Sequence, residues 1–184
     1  MMLEKYPDAR IEVIDSQSNS MQLGFAALAA AKAAKIGMSF EQAVQEVRHN
    51  IQSSRFLFIP DTFKYLKMGG RIGSAKALLG SVLQIKPILT VNNGTTDVID
   101  KVRTRSKAIE KMIDVFSKDT EKFGFSEAII HHINCEKDAL ELAGIIKEKT
   151  GKDIKIADIG PVIGTHVGPG AIGIVYCTKE TLIK

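Results

Sequence analysis

Arg55-Phe56-Leu57-Phe58-Ile59, closed by Pro60, is the stretch on which the fold turns. It has strand length and aromatic and β-branched content, and it is apolar at both odd and even positions. Successive side chains of a strand point to opposite faces, so this one has no face for water and needs cover on both sides. That pattern fits a strand inside a parallel sheet. Working back from it, Phe40, Ala43, Val44, Val47 and Ile51 recur at helical spacing, and Ser39 with Gln42 three places on forms a capping box. Met21 to Ile36 is alanine-rich and reads as a second helix, stopped by Gly37. Asp15 to Ser20 is a polar loop able to cap it, and Ile11 to Ile14 reads as a short strand. Residues 1–60 therefore read as strand, helix, helix, strand, half of an α/β unit.

Working forward, the texture changes. Asp61 to Lys67 reads as a short helix cut off by Met68-Gly69-Gly70, and Ser74 to Leu83 as another apolar helical piece. Ile85 to Val91 and Thr95 to Val102 are strand-like around Asn92-Asn93-Gly94, a tight-hairpin signal. Thr104 opens a helix with Ile109, Met112, Ile113 and Phe116 on one face. Phe125 to Ile133 is a strand, Glu136 to Lys149 a helix ended by Gly151, and Ile154 to Ile159 and Ala171 to Cys177 are the last strands. This order predicts an α/β chain: an N-terminal parallel-sheet α/β domain over 1–60, then an α+β domain over 61–184 with a mixed sheet and helices on one face.

The 184 residues are 45% hydrophobic and 25% charged, which suits a folded chain with its own core. Cys135 and Cys177 form no metal or redox spacing, so a reducing cytoplasm is the expected compartment. The net charge of +4 is mixed over several helices and predicts no nucleic-acid partner. No signal peptide is expected at Met1-Met2-Leu3-Glu4-Lys5. Ile159 to Thr178 has no formal charge over 20 residues, but its glycines and prolines read as a loop and a strand, not a membrane span.

Three clusters offer chemistry. Gly69-Gly70-Arg71-Ile72-Gly73 reads either as an anion site, a guanidinium on a backbone free to approach a ligand, or as a helix stop with a solvated arginine. Gly164-Thr165-His166-Val167-Gly168-Pro169-Gly170 reads either as a glycine loop holding an anion, with His166 and Thr165 as donors, or as a turn with a packed histidine. Lys101, Arg103 and Arg105 fall on one side by alternation and read as a patch for an acidic partner or as a solvated strand end. No nucleotide phosphate loop and no serine nucleophile with a base is visible. His131-His132 points to opposite faces and cannot chelate jointly, and Cys177 reads as a small buried residue.

With these residues in view, the chain resembles the DegV family of bacterial fatty-acid-binding proteins. The resemblance runs from Ile11 to about Thr178. It is carried by Val13-Ile14-Asp15-Ser16, the helix containing Gly24, Phe63-Lys64-Tyr65-Leu66-Lys67-Met68-Gly69-Gly70-Arg71-Ile72, Ile85-Lys86-Pro87-Ile88-Leu89, the Arg103 segment, and the run from Ile159 to Ala171. It implies a non-catalytic carrier that encloses one long-chain fatty acid, the acyl chain in an apolar tunnel and the carboxylate between two domains. It also implies a partner, a fatty-acid kinase, which converts the bound acid to an acyl phosphate for phospholipid synthesis, with no cofactor. By position, Arg71 and His166, with Thr165 and Gly168, would hold the carboxylate, and Arg103, with Lys101 and Arg105, would face the kinase. Members carry roughly a hundred further residues, most of an average domain, before the segment matching Ile11. Residues 1–60 would then be the remainder of an incomplete domain, open to self-association. The alternative is a phosphoryl- or acyl-transfer enzyme using the His166 loop as its anion site.

Overall fold

The computed structural model describes residues 2–80 and 85–182. Its elements are α1 (Met2–Lys5), α2 (Ser20–Lys35), α3 (Phe40–Ser53), β1 (Ser54–Ile59), α4 (Lys64–Met68), β2 (Lys86–Asn92), β3 (Thr95–Val102), α5 (Arg105–Phe123), β4 (Phe125–His132), α6 (Glu136–Thr150), β5 (Lys155–Asp158), α7 (Pro161–Val167) and β6 (Ile172–Thr178). Among the described residues the strands form one mixed sheet in the order β3-β2-β1-β6-β4-β5.

β1 is covered on both faces, but its neighbours correct the parallel expectation. It runs antiparallel to both β2 and β6, and among the described residues only β4 and β5 pair in parallel. Apolar side chains on both faces require cover, and cover is indifferent to strand direction. β1 ends at Ile59, and the two strands it pairs with, β2 and β6, both lie after residue 61. Leu57 and Ile59 enter a core with Met112 and Phe116 of α5 and Leu142 and Ile146 of α6. Phe56 and Phe58 enter another with Phe25 of α2, Leu66 of α4 and Val167 of α7. Helices therefore cover both faces, not one.

Local signals succeed where they close within a few residues. Ser39 and Gln42 form the full capping box on α3. Thr104 caps α5 by accepting from the Lys107 N–H, and Gly151 ends α6 in the left-handed region. The hairpin turn holds Asn93 and Gly94 at φ 48° and 76°, which matches the twist of the flanking strands.

They fail where a partner is needed. Ile11 to Ile14 forms no strand, and Val13 is 90% exposed. A strand exists only beside another strand, and among the described residues none lies next to this one. Ion pairs from Arg48 to Glu12 (2.6 Å) and from Arg10 to Glu41 hold the segment against α3 instead. Asn19 gives α2 no side-chain cap. The helix expected at Ser74 to Leu83 is a short 3-10 turn, Gly73–Leu78, and residues 81–83 lie outside the described residues. The glycine loop around His166 is in part a helix, α7, entered through Pro161. No helix of the described residues is long and apolar enough to cross a membrane.

Candidate functional site

Phe56 and Phe58 stack with ring centroids 5.0 Å apart on the face of β1 opposite α5 and α6. Together with Leu66, Val91 and Val167 they make the apolar wall of a cavity of about 540 Å³, a volume in the range of small-molecule sites. Asn19, Thr95, Thr96, Arg71 and His166 supply its polar positions, and among the described residues no Asp or Glu lines it.

Glycine brings the two basic residues to one place. Arg71 follows α4 after Gly69-Gly70, where Gly70 has φ 66° and the Arg71 N–H returns to the Leu66 carbonyl at 2.9 Å. A side chain on Gly69 would collide with the His166 ring, so this glycine lets α4 and α7 touch. Gly168, at φ 77°, lies against the Tyr65 ring just as closely. His166 Nδ1 is buried and has no hydrogen-bond partner among the described residues. Arg71 is exposed at the mouth. The site thus presents a guanidinium and an imidazole beside an apolar hollow, an arrangement suited to an acid with a hydrocarbon tail.

Of the four residues expected at the head group, Arg71 and His166 line this cavity and Thr165 and Gly168 do not. The Thr165 hydroxyl donates back to the Val162 carbonyl at 3.1 Å on the exposed side of α7. Adjacent residues of a helix point about 100° apart, and here His166 turns toward the cavity while Thr165 is exposed. Gly164 is helical as well, so of the three glycines expected in an anion-holding loop only Gly168 and Gly170 lie outside α7 and have positive φ.

The three cations of the expected basic patch sit on successive elements. Lys101 lies at the end of β3, and Arg103 is exposed in the turn after it. Arg105 opens α5 and its Nε donates to Asp138 Oδ2 at 2.7 Å. Alternation ends with the strand at Val102, and the helix then sets the direction of Arg105. The patch lies at the far end of β3 from Thr95, roughly 20 Å along the strand.

Sequence reasoning did not single out Asn19, Thr95 and Thr96, which carry no pattern of their own, or Val162, which stood only within the run from Ile159 to Ala171. Phe56 and Phe58 were recognisable as one face of β1, though not as a cavity wall. The remaining candidates are structural. His131 Nδ1 sits 3.2 Å from the Ala157 carbonyl and burial holds its pKa below the ordinary value. His132 faces Asp158 at 3.5 Å. Burial pushes the Cys177 thiol up to about 12. Among the described residues no group of three or more His, Cys, Asp or Glu is placed to hold a metal ion.

A family model described as "Uncharacterised protein, DegV family" matches residues 1–179. A DegV domain-containing protein of Clostridium acetobutylicum is 54% identical over 182 residues, covering 99% of this chain and 64% of that protein. Protein DegV of Bacillus subtilis is 37% identical over 170 residues, 90% of this chain and 59% of its own length. Among solved structures, a fatty acid binding DegV family protein from Streptococcus agalactiae matches with a TM-score of 0.87 and 27% identity, over 97% of this chain and 64% of that one. A stearic acid-binding protein from Eubacterium ventriosum matches with a TM-score of 0.83 and 29% identity, over 96% of this chain and 62% of that one. The chain thus spans slightly under two thirds of the length of these relatives.

Proposed function

The chain belongs to the DegV family, and from that footing we propose that it binds one long-chain fatty acid, its carboxylate at Arg71 and His166 and its acyl chain along Phe56, Phe58, Leu66 and Val167. The observation that carries this reading is the meeting of Arg71 and His166, from two distant stretches of chain, at one apolar-walled cavity that no Asp or Glu of the described residues lines. Each buried CH₂ of the tail contributes about 0.8 kcal/mol. An ionised carboxylate leaving water needs charge-assisted donors, which a guanidinium and an imidazole supply. The Streptococcus and Eubacterium proteins, described as fatty-acid-binding and stearic acid-binding, support the same ligand class.

In this reading the protein is a carrier and not the catalyst. It presents the head group to a fatty-acid kinase, which makes the acyl phosphate used in phospholipid synthesis in the cytoplasm. Arg103 and Lys101 are the kinase-facing cations, and Arg105, held by Asp138, serves the junction of α5 and α6 instead. Thr165 and Gly168 set the position of α7 and do not touch the ligand.

The test is lipid extraction from the purified protein followed by mass spectrometry, together with loading of delipidated protein. A C16–C18 acid is expected. His166→Ala should weaken loading by about tenfold or more, the worth of a charge-assisted hydrogen bond. Arg103→Ala should leave loading intact and lower phosphorylation by the kinase. Failure to recover or load any fatty acid, both in this chain and in a version extended to the length of its relatives, rejects the reading.

A further inference from the structure

His166 has two ring nitrogens, and the fold surrounds them differently. Nδ1 is buried and meets no hydrogen-bonding group of the described residues. What it meets is Gly69. A Cβ built on Gly69 would collide first with Nδ1, and would lie 2.9 and 3.2 Å from Cε1 and Cγ, the ring atoms on either side of it. The approach is therefore end-on to Nδ1 from outside the ring, along the line that a hydrogen on Nδ1 would occupy. Gly69 itself sends a Cα hydrogen down that line. Its backbone, at φ −78° and ψ −2°, is one that residues with side chains adopt in ordinary turns. What demands glycine here is the imidazole and not the chain.

Both sides of this contact are fastened. The Gly69 N–H returns to the Tyr65 carbonyl at 2.9 Å, the Gly168 N–H returns to the Gly164 carbonyl at 2.9 Å, and Gly168 is pressed against the Tyr65 ring. An N–H extends about 1 Å from its nitrogen. A hydrogen on Nδ1 would thus meet the Cα hydrogen of Gly69 head-on and, being buried, would find no acceptor. A bare lone pair has neither problem, and a Cα–H facing it is weakly attractive. Turning the ring over gives no escape, because Cδ2 and its own hydrogen would then face Gly69.

We propose that Gly69 is a positioning residue that locks His166 in the tautomer with its hydrogen on Nε2, which makes the ring purely a donor toward the cavity. His166 lines the cavity, and with Nδ1 turned against Gly69, Nε2 is the nitrogen left to meet a ligand. The consequence for binding rests on the fatty-acid reading above and sharpens it. Arg71 and His166 then present donors alone. The head group that fits the pair is one that accepts from both, an ionised carboxylate, and neither residue offers an acceptor to a head group that donates.

The test is long-range proton–nitrogen NMR of the histidine-labelled protein at about pH 8, above the ordinary histidine range, before and after loading with hexadecanoic acid. His166→Ala assigns the signal. A single tautomer is expected, with Nδ1 bare and Nε2 bearing the hydrogen. A free imidazole populates both tautomers, so a mixture, or a hydrogen on Nδ1, overturns the proposal. Gly69→Ala should displace the ring, let both tautomers appear and weaken loading by about tenfold, the worth of the lost charge-assisted hydrogen bond. A Gly69→Ala protein that keeps the single tautomer and loads undiminished removes the role of Gly69. Glutamine can place its amide where Nε2 stands, whereas asparagine places it near Nδ1. Both variants should load less than the wild type, with His166→Gln ahead of His166→Asn by about fivefold. The reverse order overturns the proposal, and it decides even where Gly69→Ala fails to fold. If the wild type shows the single tautomer and loads no acid, the lock stands and the fatty-acid reading falls alone.

Discussion

On one side of the sheet, Leu57 and Ile59 meet Met112, Phe116, Leu142 and Ile146, each of them 0–1% exposed. On the other side, Phe56 and Phe58 of the same strand meet helices that leave a cavity of about 540 Å³. Both layers are apolar, so hydrophobicity does not separate them. The covering elements do. α5 and α6 are 19 and 15 residues long and lay continuous stripes along their face. Over the Phe56 and Phe58 side the cover passes from α2 to α4 and α7, which are 5 and 7 residues long and touch through glycines. Short helices joined by turns cannot close a sheet face to crystal-like density. A hollow follows, and the turns deliver Arg71 and His166 to its edge.

The largest break in this comparison should come from truncating the dense layer. Phe116→Ala removes a fully buried ring that sits edge-on to Tyr176 and Phe125 and should cost about 3–5 kcal/mol in urea unfolding. Phe58→Ala, at a wall that already faces a cavity, should cost about half of that and alter which acids load. Equal losses for the two would erase the distinction between the faces.

Next in size is Gly168→Ala. An alanine there meets the Tyr65 ring at a φ of 77°, so strain of at least about 1–2 kcal/mol is expected, with loss of loading as α7 shifts. Gly144→Ala in α6 has open space around it and a helical backbone, and should be neutral or slightly stabilising. A tolerated Gly168→Ala would show that the contact of α4 with α7 does not set the site.

The last effect is electrostatic, absent at neutral pH and confined to the alkaline range. Cys177 is raised from an ordinary value near 9 to about 12 by burial, and Tyr176 is raised by burial and then by Asp119. A raised folded pKa means that the folded state holds its proton more tightly. The contribution is complete below the unfolded pKa and is lost as pH climbs toward the folded one. Stability should therefore fall above about pH 9, by up to about 1.4 kcal/mol per pH unit for each group. Urea midpoints from pH 8 to 11 should show a shallower decline in Cys177→Ala. An unchanged slope would indicate that the thiol ionises freely in the fold.

The sequence was sufficient wherever the physics closes locally or repeats with a period. The capping box at Ser39, the Asn93-Gly94 turn, the Thr104 cap and the apolar stripe of α5 all depend on neighbours a few residues away. Ile11 to Ile14 has strand chemistry and remained unpaired, because a strand is completed only by another strand. Thr165 and His166 looked equivalent until α7 turned them to different faces.

What the residues determined alone is the inventory: a strand greasy on both sides, amphipathic helices to cover it, and a guanidinium and an imidazole set among glycines. Tertiary structure decided the rest. It chose antiparallel neighbours for β1, assigned Phe56 and Phe58 to the hollow side, brought Arg71 and His166 to one mouth, and sent Arg105 away to Asp138. Such choices depend on contacts between distant parts of the chain. Local propensity is nearly indifferent to them, and packing alone distinguishes between them.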